Sequence, residues 1–253
     1  IAPLVPLQTD YDRLCTRIVI MWTLGYDLLN VNVAAKSTTM RSDALGDIFH
    51  SSPVSVEPPL EPFLCDLGLS TQCARTIYAD GPGPGHTQHD FSVTASLCPT
   101  GTAISKAYDV WQARHHRRQR VLLVGANDGM LHAFDNGRAI DDTNALITGT
   151  SNTSDVCTAG KPHNRYNHGT GQELWAFVPP DLLSRLPDQM LGHQYMVDGD
   201  IMVRDIWADD DQDGVKDADE FHTLAVISEG RGGTHYLALE IPFTLAGDRA
   251  MDA

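Results

Sequence analysis

The sequence predicts an all-β protein built from four-stranded antiparallel blades, a partial β-propeller. Three observations carry that expectation: an internal repeat, glycine-marked turns between short apolar runs, and few helical segments in a chain of 253 residues. The first repeat unit reads Gly46-Asp-Ile-Phe-His-Ser-Ser-Pro-Val54, a long polar insertion, Arg120-Val-Leu-Leu-Val-Gly-Ala126, the turn Asn127-Asp128-Gly129, then Met130-Leu-His-Ala-Phe-Asp135. The second reads Gly199-Asp-Ile-Met-Val-Arg-Asp-Ile206, an acidic insertion, Thr223-Leu-Ala-Val-Ile-Ser228, Gly230-Arg-Gly-Gly233, then His235-Tyr-Leu-Ala-Leu-Glu240. Each unit has a Gly-Asp-apolar strand, a buried apolar strand, a tight glycine turn and a Leu-x-Ala-Phe/Leu-Asp/Glu strand.

Taken in order, residues 1–43 form an N-terminal segment with a short helix over Asp10 to Leu24. Thr9 or Asp10 is its cap, and Leu14, Ile18, Met21 and Trp22 share one face. The first blade covers 44–180. Val121 to Val124 is a β-branched-rich run bounded by turn residues, and Asn-Asp-Gly supplies residues tolerant of positive φ where a hairpin reverses. A fourth strand runs from Gly171 through Glu173-Leu-Trp-Ala-Phe-Val178 and ends at Pro179-Pro180. A short helix over Pro180 to Leu186, capped by Asp181, stops before Pro187. The second blade covers 197–253 and lacks a fourth strand. Insertions at 57–104 and 136–170 read as loops decorating one rim, where binding surfaces sit. Two blades cannot close a propeller, which takes about four to eight, so further blades belong to a longer parent chain. A β-sandwich made of the same hairpins is the alternative.

Composition narrows the function. The chain is 42% hydrophobic and 20% charged, too apolar for disorder and too polar for a membrane protein. Its 18 basic against 33 acidic residues give a net charge of −15, which argues against nucleic acid and against anionic lipid. A bound cation or a basic partner is compatible with it. The apolar run Ile18 to Leu24 is far too short to span a bilayer. A chain opening on Ile1, with no Met and no signal pattern, reads as a processed or excised piece. Of five cysteines, Cys65, Cys73 and Cys98 fall in the Gly/Pro-rich insertion, where a disulfide suits an oxidising compartment. Cys157 completes no metal spacing with the others, and Cys15 reads as a small buried hydrophobe.

One motif is specific. Asp209-Asp-Asp-Gln-Asp-Gly-Val-Lys-Asp-Ala-Asp-Glu220 matches D-x-[DN]-x-[DN]-G-x5-E at every fixed position. Calcium seeks six to eight oxygens at about 2.3–2.6 Å. Asp209, Asp211 and Asp213 bring three carboxylates into one turn, Gly214 takes the bend, and the Val215 carbonyl supplies a neutral oxygen. Asp217 ligates directly or through water, and Glu220 can close the shell. Seven carboxylates relieved only by Lys216 would repel one another strongly without a cation. Ile201 to Trp207 and His222 to Ile227 read as strands, so the loop caps a strand pair and serves as a structural or regulatory clip, without the helix opening of sensor EF-hands.

Four segments resemble the PilY/PilC family of type IV pilus tip-associated proteins. They are Gly46-Asp-Ile-Phe-His-Ser-Ser-Pro-Val54, Val124-Gly-Ala-Asn-Asp-Gly-Met-Leu-His-Ala-Phe-Asp135, Glu173-Leu-Trp-Ala-Phe-Val-Pro179 and Gly232-Gly-Thr-His-Tyr-Leu-Ala-Leu239, in the family's order. The resemblance implies a C-terminal, quinoprotein-like β-propeller and a bacterial cell-surface location at the pilus tip after export through the periplasm. It implies minor pilins as partners, with a host or surface ligand, and roles in pilus biogenesis, adhesion and twitching motility. It also implies a calcium loop between propeller strands, at Asp209, Asp211, Asp213, Val215 and Asp217 here, through which calcium regulates pilus extension against retraction.

Two competing readings differ in class. A pyrroloquinoline-quinone dehydrogenase shares such blade motifs, with Trp175 and the glycine turns as docking elements, but no acid–base constellation accompanies them, so an enzyme is not expected. The other is a purely structural extracellular repeat module. His86-x-x-His89-Asp90 offers weak zinc-ligand spacing in a loop. His115-His-Arg-Arg118 reads as a solvated basic turn. Ser51 and Ser52 lack a nucleophile context, and no phosphate loop or dinucleotide-binding glycine pattern occurs.

Overall fold

The computed structural model describes residues 5–32, 37–59, 87–88, 111, 115, 118–140 and 165–241. The chain opens with α1 (Val5–Thr23). This helix starts before the expected cap at Thr9 or Asp10, because Pro6 in the first turn sacrifices an N–H that has no helical partner there. Ile18, Met21 and Trp22 of the expected face are half-buried, together with Cys15 and Val19, whereas Leu14 is exposed. Cys15 is a half-buried free thiol rather than a buried hydrophobe. The helix leads into an unforeseen antiparallel hairpin, β1 (Tyr26–Asn32) and β2 (Ser37–Met40).

The first sheet contains β3 (Val54–Val56), β5 (Val121–Gly125), β6 (Leu131–Asp135) and β9 (Glu173–Phe177), antiparallel and in that order. The minor strand β4 (Thr87–Gln88) precedes β5, and a small ribbon of β7 (Ala139–Ile140) and β8 (Arg165–Tyr166) rises between β6 and β9. Register aligns Val54, Leu123, Ala133 and Trp175 across the sheet. The β5–β6 reversal places Gly129 at φ +93°, a left-handed position that glycine adopts without steric cost.

The second sheet contains β10 (Ile201–Trp207), β12 (Phe221–Ser228) and β13 (Tyr236–Glu240), again antiparallel in chain order. The small strand β11 (Val215–Lys216) lies between β10 and β12. Alternation along β12 buries Phe221, Thr223, Ala225 and Ile227, the period of two expected of a sheet with one covered face. Both sheets share one core: Val56, Val121, Leu123, Leu131 and Ala133 meet Ile201, Ala225 and Ile227, with Leu182, Met196 and Val197 from the connection between them. The protein is thus mostly β, and among the described residues no sheet closes on itself.

Several local expectations change. Gly46 to Pro53 is not a strand, because its polar groups are drawn to the neighbouring turn. The Gly46 N–H donates to Asp128 Oδ2 (2.7 Å), and the Asn127 amide donates to Asp47 Oδ2 (2.9 Å). The expected helix ending before Pro187 is a 3₁₀ helix over Leu183–Met190 that contains Pro187, and Asp181 does not cap it. Proline's φ suits 3₁₀ geometry, so it need not end the segment. Arg118 is buried rather than solvated. It donates to Thr223 Oγ1 of β12 (2.8 Å) and to the Glu57 carbonyl, so the basic turn ties the two sheets together. Cys65, Cys73, Cys98, Cys157, His86, His89 and Asp90 lie outside the described residues. Among the described residues no helix is long and apolar enough to cross a membrane.

Candidate functional site

The acidic loop closes the β10–β12 hairpin, whose last pair is Trp207 with Phe221. Carboxylate oxygens of Asp209, Asp211 and Asp213 lie within 4.8 Å of one another. Two ligands on opposite sides of one calcium ion sit about 4.6–5.2 Å apart, so separations of this size suit one shared ion. Backbone donors hold the carboxylates in place. The Asp213 N–H reaches Asp209 Oδ1 and Asp211 Oδ1 (both 3.1 Å), Gly214 N–H reaches Asp209 Oδ2 (3.1 Å), and Val215 N–H reaches Asp213 Oδ1 (2.7 Å). Gln212 and Gly214 both take positive φ, at 62° and 76°, which tightens the turn so that alternate side chains converge. The donor set is all oxygen, as a hard cation requires.

Beyond Val215 the loop changes character. A 3₁₀ turn over Ala218–Glu220 carries a reciprocal cap in which Asp217 and Glu220 satisfy each other's backbone donors. Glu220 is buried, and its Oε2 accepts from Trp207 Nε1 and from the Asp217 N–H, both at 2.9 Å. Asp217 and Glu220 therefore brace the loop's return, while the oxygens that share reach belong to Asp209, Asp211 and Asp213. β11 pairs in parallel with β4, through Val215 with Thr87 and Lys216 with Gln88, so the 57–104 insertion touches this loop. His222 lies at the loop's foot, its Nε2 3.1 Å from Asp210 Oδ2 and Nδ1 2.7 Å from Glu240 Oε1. Burial alone would lower its pKa, but Glu240 and Asp210 outweigh that and raise it.

Other residues of interest are structural. Ser51 is buried with its Oγ accepting the Gly125 N–H (2.9 Å), so it serves as a latch between segments. Trp175 packs on the shared core. His132 is buried between two carboxylates, Nε2 3.0 Å from Asp128 Oδ2 and Nδ1 2.6 Å from Glu173 Oε1. One cluster had no sequence signal: Asp181, Glu229 and His235 offer ligand atoms within 4.8 Å of one another. Glu229 is fully buried, and its pKa is raised, first by burial and, against the pull of the His235 N–H, by the Asp181 carboxylate. Asp181 stands far from the other two in sequence, so no spacing rule could have joined them.

A curated type IV pilus biogenesis factor PilY1 homologue from Xylella fastidiosa is 32% identical to this chain over 140 residues, 54% of the chain and 8% of that protein. No family model matches the sequence. No solved structure matches it either. The match therefore covers about half of this chain and a small fraction of its relative, and over that stretch it bears out the resemblance to the PilY/PilC family that the motifs carry.

Proposed function

We propose that this chain is part of a calcium-binding, tip-associated protein of type IV pili, a non-enzymatic factor supporting pilus biogenesis, surface adhesion and twitching motility. The observation that carries the reading is the convergence of Asp209, Asp211 and Asp213 in a loop set between two strands, in a chain similar to a pilus biogenesis factor. Calcium is held by these three carboxylates with the Val215 carbonyl and Asp217, and Glu220 keeps the loop's exit in place. Minor pilins at the tip, and a host or surface ligand, are the partners. The protein reaches the cell surface through the periplasm.

The two sheets are adjacent blades of a larger β-propeller, residues 44–180 and 197–253, following an N-terminal segment 1–43. The outward face of the second sheet supports this. Met202, Val226 and Tyr236 are exposed at 57%, 39% and 77%, and a groove of about 700 Å³ runs beside them. A further blade packed on that side would cover this apolar face, as the first sheet covers the opposite one.

The test pairs binding with motility. Calorimetric titration of the wild-type chain with calcium should give heats that Asp211→Ala loses. Cells carrying Asp213→Ala in the parent protein should show altered pilus number or twitching at near-normal protein abundance. Equal heats from wild type and Asp211→Ala would overturn the calcium assignment. Normal piliation in Asp213→Ala cells would reduce calcium to a stabiliser.

A further inference from the structure

The pilus reading does not use the cluster at the β12–β13 turn. Asp181 follows β9, at the exit of the first sheet, while Glu229 and His235 flank the turn of the second. His235 Nδ1 is 3.1 Å from Asp181 Oδ2 and 3.9 Å from Glu229 Oε2. Glu229 is wholly enclosed, its Oε2 accepts the His235 N–H at 3.1 Å, and its Oε1 has no hydrogen-bond partner. A carboxylate taken out of water with one oxygen unsatisfied is costly to keep unless it takes up a proton or a cation joins it. Among the described residues its ion-pair partner is His235, which Asp181 approaches more closely. The chain also keeps room for this side chain. A Cβ on Gly233 would stand 1.7 Å from Glu229 Oε2, so glycine there leaves space for the carboxylate.

We propose that Asp181, Glu229 and His235 form a binding site for a divalent transition metal of the zinc class, distinct from the acidic loop, that clips the exit of the first sheet to the β12–β13 turn of the second. The donors are one imidazole nitrogen and two carboxylates, the borderline set that zinc accepts and that calcium, which takes oxygen alone, does not favour. Ligands around tetrahedral zinc stand about 3.4 Å apart, and the observed separations of 3.1 and 3.9 Å bracket that value. His235 is 61% exposed, which gives the ion an entry path and leaves solvent to fill the remaining position. The neighbouring Arg185 donates to the Tyr195 carbonyl (3.0 Å) and to the Gly232 carbonyl, so the same two regions are already drawn together beside the site.

Cobalt(II), whose visible absorption reports low-coordinate nitrogen and oxygen ligation, is the probe. The chelator-stripped 253-residue chain, saturated with calcium so that the acidic loop is filled, is titrated with cobalt. The expected result is one equivalent of visible absorbance, displaced by zinc, with zinc also raising the melting temperature. Glu229→Gln and His235→Ala should weaken it on the order of a hundredfold, the upper end of what losing even an outer-shell partner costs. Asp211→Ala should leave it intact, which separates this site from the calcium loop. Should Glu229→Gln fail to fold, Asp181→Asn, at a partly exposed position, carries the same test. A wild type with neither absorbance nor a zinc-dependent melting shift would reduce the cluster to an ion pair. Absorbance surviving in both Glu229→Gln and His235→Ala would place the metal elsewhere. Either result overturns the proposal.

Discussion

Replacing His132 by glutamine removes a titratable imidazole from between two carboxylates while nearly keeping its volume. The imidazole is 4% exposed, against 9% for the Asp128 side chain and 47% for that of Glu173. Burial alone would lower the His132 pKa, but the hydrogen bond and charge of Asp128, then of Glu173, more than offset it and the pKa is raised. A pKa raised on folding contributes stability that is fully present below the unfolded value near 6.5 and is lost as pH climbs through the folded value. Breaking a buried ion pair typically costs about 3–5 kcal/mol. Here Asp128 keeps two backbone donors, from Gly46 (2.7 Å) and Met130 (3.1 Å), and glutamine can return one bond, which brings the expected cost to about 2–3 kcal/mol. Half-exposed Glu173 adds no more than about 0.5 kcal/mol. Urea denaturation of wild type and His132→Gln at constant calcium should show that gap at pH 5.5 and a smaller one at pH 9. His222 titrates with the same sign, but in both proteins, so it cancels. A gap that is constant or widens with pH would refute a charged His132.

Calcium in hundredfold excess over its dissociation constant should stabilise the wild type by about 2.7 kcal/mol, visible as a raised melting temperature that chelator reverses and Asp213→Ala abolishes. Melting indifferent to both would make the loop a passive acidic surface. Gly125→Ala should cost about 1–3 kcal/mol, because its Cβ would stand 2.5 Å from the Val197 carbonyl oxygen and 2.7 Å from Val197 Cγ1. Leu191→Ala, at a residue 89% exposed, should leave the same denaturation curve unmoved. Leu123→Ala, at a fully buried position shared by both sheets, should cost about 2–5 kcal/mol by chemical denaturation, well above Leu122→Ala on the same strand.

Strand runs with strong local chemistry were readable from the chain. Val121 to Val124, the Asn127-Asp128-Gly129 turn and Glu173 to Phe177 fall where period and turn residues place them, and the acidic loop joins β10 to β12 as expected. The convergence of Asp209, Asp211 and Asp213 was readable for the same reason, since their spacing is local. What was not readable depends on partners distant in sequence. The segment Gly46 to Pro53 gives its polar groups to Asn127, Asp128, Gly125 and Asp198 instead of to a ladder. Arg118 looks like a solvated cation until Thr223 is brought beside it. Glu229 sits in what reads as an ordinary glycine turn, and only the fold brings Asp181 to it.

The two-residue pairing of β4 with β11 has a consequence for the order of folding. It closes a chain loop of roughly 130 residues, between Gln88 and Val215. Closing such a loop from an unfolded chain costs about 4 kcal/mol or more in entropy, while a ladder this short returns about 1–3 kcal/mol. The clasp cannot nucleate anything. It should form after both hairpin systems have docked and shortened the effective loop, and should open more readily than the two sheets when the native state breathes. Hydrogen exchange at Lys216 should accordingly be far faster than at Ala225 or Leu123, so that the strand within the acidic loop samples open states while the sheets beneath it stay shut.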